Sequence, residues 1–156
     1  MNPSASVEID APAELVWQVM LGTDEYAAWN PFVVAAQTPQ PPQVGNPIVL
    51  HVVWRDGSRT RSPERISALV PPMAGPDGTV TARMSYVYEG WPAKLGLVRG
   101  TRHQRLTQRP GGLTTYATVE EFSGPLVRWA GLRRVEDGFR RHAEALKARA
   151  EALATG

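Results

Sequence analysis

"PLVRWAGLRRVEDGFRRHAEALKARAEAL", residues 125–153, is the longest periodic stretch of the chain, and its reading decides what the rest must build. Leu132, Val135, Phe139, Ala143, Leu146, Ala150 and Leu153 recur at steps of three and four, drawing one apolar stripe along a helix of about five or more turns. The other face is charged: Glu136 precedes Arg140 and Asp137 precedes Arg141 at the helical spacing, acid first. Gly138 is a weak spot for helix propensity. The stripe is too wide, and the segment too solitary, for a heptad coiled coil.

Upstream, the period changes from helical to alternating. "PIVLHVVWR" (47–55), "RTRSPERISALV" (59–70), "TVTARMSYVYEG" (79–90), "RGTRHQRLTQ" (99–108) and "LTTYATVEEF" (113–122) are separated by Asp-Gly, "GPDG" and "RPGG" turns or by the loop "GWPAKLGL", and read as antiparallel strands. In residues 80–88, Val80, Ala82, Met84, Tyr86 and Tyr88 share one side, expected to face inward. In the last strand the Tyr116, Thr118, Glu120, Phe122 side is favoured over Ala117, Val119 and Glu121. For residues 99–107 the sequence leaves two faces open: with Arg102, Gln104 and Leu106 inward an interior would have a polar floor, and with them outward Leu106 is exposed.

The N-terminal part reads as a short strand carrying Val7 and Ile9, then a helix of about ten residues with Leu15, Val16, Val19 and Met20 on its apolar face. Asp10 is the expected cap, Pro12 fits the first turn and Gly22 ends it. "EYAAWNPF" (25–32) then gathers three aromatic rings on a connection. Residues 37–47, with four prolines, form a loop or poorly paired edge.

At 156 residues, 42% hydrophobic and 21% charged, the chain is expected to be one globular domain, residues 1–156, with one core. No apolar run approaches the ~18 residues of a spanning helix, and no basic segment or apolar block opens the chain, so a cytoplasmic location is expected. The absence of cysteine excludes disulfides, thiolate metal sites and a cysteine nucleophile. Residues 1–50 hold five acids and no Lys or Arg, so the remainder carries +7 toward the net charge of +2. That polarity either guides an anionic ligand or reflects arginines on wet faces of strands and a helix.

The element order, together with "IDAPAELVWQVM", "EYAAWNPF", "VGNPIVLHV" and "GGLTTYATVEEFSGPL", resembles the START-like helix-grip superfamily (SRPBCC), in particular its polyketide cyclase/dehydrase-like branch. The resemblance covers nearly the whole chain. It implies an α+β helix-grip fold, a curved antiparallel sheet wrapped round the long C-terminal helix with short helices near the N-terminus, and a cavity between them for sterols, lipids, polyketides or other apolar compounds. In such a fold large rings from connecting segments must close the concave side. Trp29 and Phe32 are placed to do so, with Pro31 stiffening the return. The further lining candidates are Trp54, Met84, Tyr86, Tyr88, Arg102, Tyr116, Glu120, Val135 and Phe139, with core filling as the competing role for Trp54, Met84, Tyr86 and Tyr88. "GWPAKLGL" would be a hinged lid.

Phosphate-loop, dinucleotide, HExxH and nucleophile-elbow signatures are missing. His51, His103 and His142 lack ligand spacing, so no metal and no cofactor is expected. His142 reads as a half-exposed helix residue. Glu120 is the candidate catalytic carboxylate. Beside Tyr116 in a closed cavity its pKa would rise unless a cation such as Arg102 paired with it, whereas on the outer face it would be an ordinary cross-strand ion pair. The expected partner is a hydrophobic small molecule, carried or sensed without catalysis; the rival is a cyclase/aromatase in which Glu120, Tyr86 and Arg102 converge, and a protein interaction module is a third reading. The basic runs do not interleave with aromatics along one face, which argues against nucleic acid. Oligomeric state is not legible.

Overall fold

The computed structural model describes residues 1–156. The chain runs β1 (Ser4–Ile9), α1 (Ala13–Leu21), a 3-10 turn (Thr23–Ala28), β2 (Val33–Gln37), β3 (Pro47–Val53), β4 (Arg59–Ala74), β5 (Val80–Tyr88), α2 (Trp91–Lys94), β6 (Arg99–Gln108), β7 (Thr114–Ser123), a 3-10 turn (Val127–Trp129) and α3 (Leu132–Thr155). All strands are antiparallel in one sheet, ordered β1-β7-β6-β5-β4-β3-β2. This is the helix-grip architecture, with α3 packed against β1 and α1.

β4 is 16 residues long and carries register shifts at Ile66/Ala68 and Val70/Met73 against β5. Such bulges increase local twist and bend a strand, which lets the sheet curl round the helix. β2 was not legible as a strand. It is five residues, pairs on one side only, and its "VVAAQ" does not alternate.

The predicted stripe of α3 is buried from Val135 to Ala150, but Leu132 is only half-buried and Leu153 is exposed. The helix starts at Leu132, after residues 125–131 have formed the 3-10 turn and the left-handed Gly131. Asp137 pairs with Arg141 as expected and also with Arg55, whereas Glu136 accepts the Ser4 amide and makes no pair with Arg140. In α1, Trp17 joins the core while Leu15 stays half-buried. Asp10 does not cap the helix: Pro12 holds the N-cap position, and the Ala13 amide donates to Gln108 Oε1 instead.

Gly138 has a reason to be glycine. The ring of Phe32 lies on the helix there, and a Cβ would fall 2.2 Å from Phe32 Cε1. Alanine would gain about 1 kcal/mol of helix propensity. Expelling the ring costs about 1–3 kcal/mol, so Gly138→Ala is expected to lower the melting temperature. An unchanged or higher value in a thermal scan would mean that Phe32 moves aside freely.

Candidate functional site

The aromatic connection is organised by Asn30, which the sequence reading passed over. Its Oδ1 accepts the amides of Phe32 and Val33, which folds the chain back at Pro31 and aims Phe32 at α3. Its Nδ2 is thereby left to face His142 Nδ1 at 2.9 Å. An amide nitrogen donates, so His142 Nδ1 accepts and the ring proton sits on Nε2. Burial holds this histidine well below its usual pKa, in keeping with a neutral ring. His142 is therefore not half-exposed: it is buried, stacked on Tyr116 at 5.9 Å and edge-on to Trp29. An Asn preceding a Pro is the one local signal that could have drawn attention to position 30.

The open question about β6 is decided by the register. Gly100, Arg102, Gln104 and Leu106 are buried and face the helix, opposite Phe122, Glu120, Thr118 and Tyr116 on β7. The concave face thus has a polar floor. Tyr116 donates its hydroxyl hydrogen to Gln104 Oε1 at 2.7 Å; Arg102 Nε donates to Thr118 Oγ1 at 3.0 Å, and its guanidinium lies 4.2 Å over the Phe139 ring. Met84, Tyr86, Tyr116 and Trp29 belong to this packed layer or to its flank, with Tyr86 near Arg102, Gln104 and His142.

Above the floor is a cavity of about 370 Å³. Phe32, Trp54, Tyr88, Arg102, Glu120, Val135 and Phe139 all line it, so seven of the sequence candidates come together; Trp29, Met84, Tyr86 and Tyr116 do not reach it. α3 supplies Val135 and Phe139, β3 supplies Leu50 and Val52, and β4 supplies Thr60, Ser62 and Glu64. The rim consists of Trp91, Pro92, Leu97 and Val98 on one side and Leu126, Trp129 and Ala130 on the other. Trp91 and Trp129 are 68% and 64% exposed at this mouth. The two rim segments are tied together, because Leu126 N donates to Leu97 O and Gly124, at φ +117°, brings its backbone against Leu97. The "GWPAKLGL" loop is thus anchored at its C-terminal end, where the Leu97 and Val98 amides also donate to Pro92 O of α2.

Two carboxyls share the cavity with Arg102. Glu120 turns into space left by Gly100, where a Cβ would meet Glu120 Oε1 at 2.7 Å. It is buried on the inner face, and the outer-face ion pair weighed from sequence is not formed: Arg102 is directed to Thr118 and Tyr116. Burial pushes its pKa up to about 7 against the opposing pull of Arg102. Glu64, missed from sequence, is equally buried; Ser62 donates to its Oε1, while Oε2 has no partner. Burial and then the charge of Glu120 raise Glu64 to about 8. The sequence hid it because Thr60, Ser62 and Glu64 are polar on the inner face of β4 while Arg59, Arg61 and Arg65 are polar on the outer, so no alternation marks the side.

His51 and His103 are hydrogen-bonded strand residues, to Gln37 and Ser85. No helix is long and apolar enough to cross a membrane.

Residues 3–151 match the family model "Polyketide cyclase / dehydrase and lipid transport". The chain belongs to this family, which lies within the START-like helix-grip superfamily. Comparison with curated protein sequences gives no match. Among solved structures, the di-domain aromatase/cyclase BexL of the BE-7585A biosynthetic pathway is 16% identical with a TM-score of 0.65; the match covers 100% of this chain and 50% of BexL. The Zhui aromatase/cyclase of Streptomyces sp. R1128 is 17% identical, TM-score 0.65, over 97% of this chain and 93% of that one. A ginseng (Panax ginseng) major latex-like protein 151 is 13% identical, TM-score 0.64, over 96% and 97% of the two chains. At these identities the likeness is one of fold.

Proposed function

We propose that the protein binds a hydrophobic small molecule, lipid-like or polyketide-like, between its sheet and α3, and carries or senses it without chemical change. The observation behind this reading is the cavity itself: about 370 Å³, walled mainly by apolar and aromatic side chains, with a mouth framed by exposed Trp91 and Trp129. Pockets of this size and lining with few polar groups suit small apolar ligands. Affinity would come chiefly from burial, at about 25 cal/mol per Å² of apolar surface removed from water. We place the protein in the cytoplasm. Native mass spectrometry of the purified protein is expected to find a bound lipid or polyketide-like compound, or uptake of an added one; a protein that stays empty against an apolar ligand series would refute the reading.

A second reading, a cyclase/dehydrase-type enzyme, is favoured by one observation. Glu64 and Glu120 have pKa values moved toward neutrality in a cavity shared with Arg102, as acid and base groups require. Tyr86, the other candidate, lies beneath the cavity. Under this reading Glu120→Gln abolishes turnover of a reactive polyketide chain and leaves its binding intact; retained turnover would remove Glu120 from the chemistry.

A further inference from the structure

We propose that the cavity selects a ligand with an apolar or aromatic body and a protonated amine head group, and that Glu64 and Glu120 receive the amine. This rests on the ligand-binding reading and names the polar end of the ligand.

Three charged side chains line the cavity: Arg102, Glu64 and Glu120. Arg102 is already engaged, with Thr118, with Tyr116 at 3.4 Å and with the Phe139 ring. The carboxyls are not. Ser62 is the one donor to Glu64, its second oxygen has none, and Glu120 is acted on by burial and by the charge of Arg102, without a hydrogen bond. Glu64 Oε2 is a buried acceptor without a donor, which is costly, and with both acids ionised the site also lacks one positive charge. An ammonium brings three donors and no acceptor; a hydroxyl brings one donor; a carboxylate brings none and meets like charge. The rings of Phe32, Tyr88 and Phe122 stand in the same wall and offer faces that attract a cation.

The groups facing the two acids are Ser62 on β4, Tyr88 and, from beneath, Tyr86 on β5, and Arg102 on β6, while β3 and α3 present only apolar Leu50, Val52, Val135 and Phe139. With raised pKa values the empty site holds protons at neutral pH. An ammonium displaces a proton from the carboxyl pair into solvent, and no covalent bond changes. Amine affinity therefore rises with pH until Glu64 has ionised at about 8, the amine itself staying charged to roughly pH 10.

Three probes with one body separate the possibilities: 4-phenylbutylamine, 4-phenylbutan-1-ol and 4-phenylbutyrate, titrated calorimetrically at pH 6.5 and 8 in buffers of different ionisation enthalpy. At pH 8 the amine is expected to bind at least about tenfold more tightly than either analogue, with proton release detectable at pH 6.5. Glu64→Gln and Glu120→Gln, checked by circular dichroism for fold, should each weaken the amine about tenfold or more and leave the alcohol within about threefold. An amine no tighter than the alcohol, a preference for the butyrate, or an amine preference that survives both substitutions would overturn the inference. Equal binding of all three probes would sink only the amine preference, whereas no binding by any of them would remove the cavity reading as well.

Discussion

Glu64→Gln is expected to stabilise the protein above neutral pH and to leave its stability near pH 4.5 unchanged. The sign follows from the direction of the shift. In the fold Glu64 titrates at about 8 and in the unfolded chain near 4.5, so between these values the folded state holds a proton that the unfolded state has released. Stability from this group is therefore full below pH 4.5 and is lost as pH rises to about 8. Glu120, shifted to about 7, adds a loss of the same sign that is complete at lower pH. The full linkage for a shift of this size is several kcal/mol at about 1.4 kcal/mol per pKa unit. Water entering the cavity and side-chain relaxation reduce the measurable part to on the order of 2 kcal/mol. For a chain of this length that is a gain of about 5 °C in melting temperature at pH 8.5. Gln keeps the shape of the neutral acid and carries no charge to desolvate, so the two melting curves should converge as pH falls. A gap that is constant with pH, or that opens on the acid side, would show that Glu64 is not held protonated by burial.

Phe139→Ala is expected to be the most damaging single truncation at the site. The ring is 2% exposed, packs edge-on to Phe32 at 6.2 Å and lies under the Arg102 guanidinium. Losing a buried phenyl costs about 3–5 kcal/mol, from transfer and from the void left behind. Here the void would join the ligand cavity and strip Arg102 of its seat, so the loss should fall at the upper end, about 10 °C or more. Trp91→Ala is the control. Trp91 lines the same cavity but is 68% exposed at the rim, so its removal should change stability by about 0.5 kcal/mol or less while weakening retention of an apolar ligand. Thermal melts of both variants with ligand off-rates check the contrast. Equal stability losses would mean that the rim is part of the core.

The elements that could be read in the sequence are those whose burial is one-sided and long. The α3 stripe from Val135 to Ala150 and the inward set Ala82, Met84, Tyr86 on β5 are periodic because each must present one face to the same core. β2 was lost because a short edge strand between prolines has too few residues for a period to show. His142 was misread because a polar residue beside an apolar stripe looks half-exposed unless its partner is known, and Asn30 lies 112 residues away.

The site divides the same way. Phe139 was legible as a large residue on the helix stripe and Phe32 as a ring on a connection, whereas Trp54 and Tyr88 competed with core filling and Glu120 with an outer-face ion pair. Glu64 was not legible, because β4 is polar on both faces and only the curl of the sheet makes one of them interior. Arg102 was legible as a residue but not as a direction.

The linear order of residues by itself determined β1, α1, the five strands from β3 to β7, the long helix against which they close, and the family the chain resembles, because hydrophobic period and turn chemistry are local properties. Only the tertiary structure decided that β6 turns Arg102 inward, that Phe32 rests on Gly138, and that Glu64 and Glu120 open on one cavity. Those outcomes depend on strand register and sheet curvature, which bring together residues as far apart as positions 32 and 138, and no local pattern carries that distance.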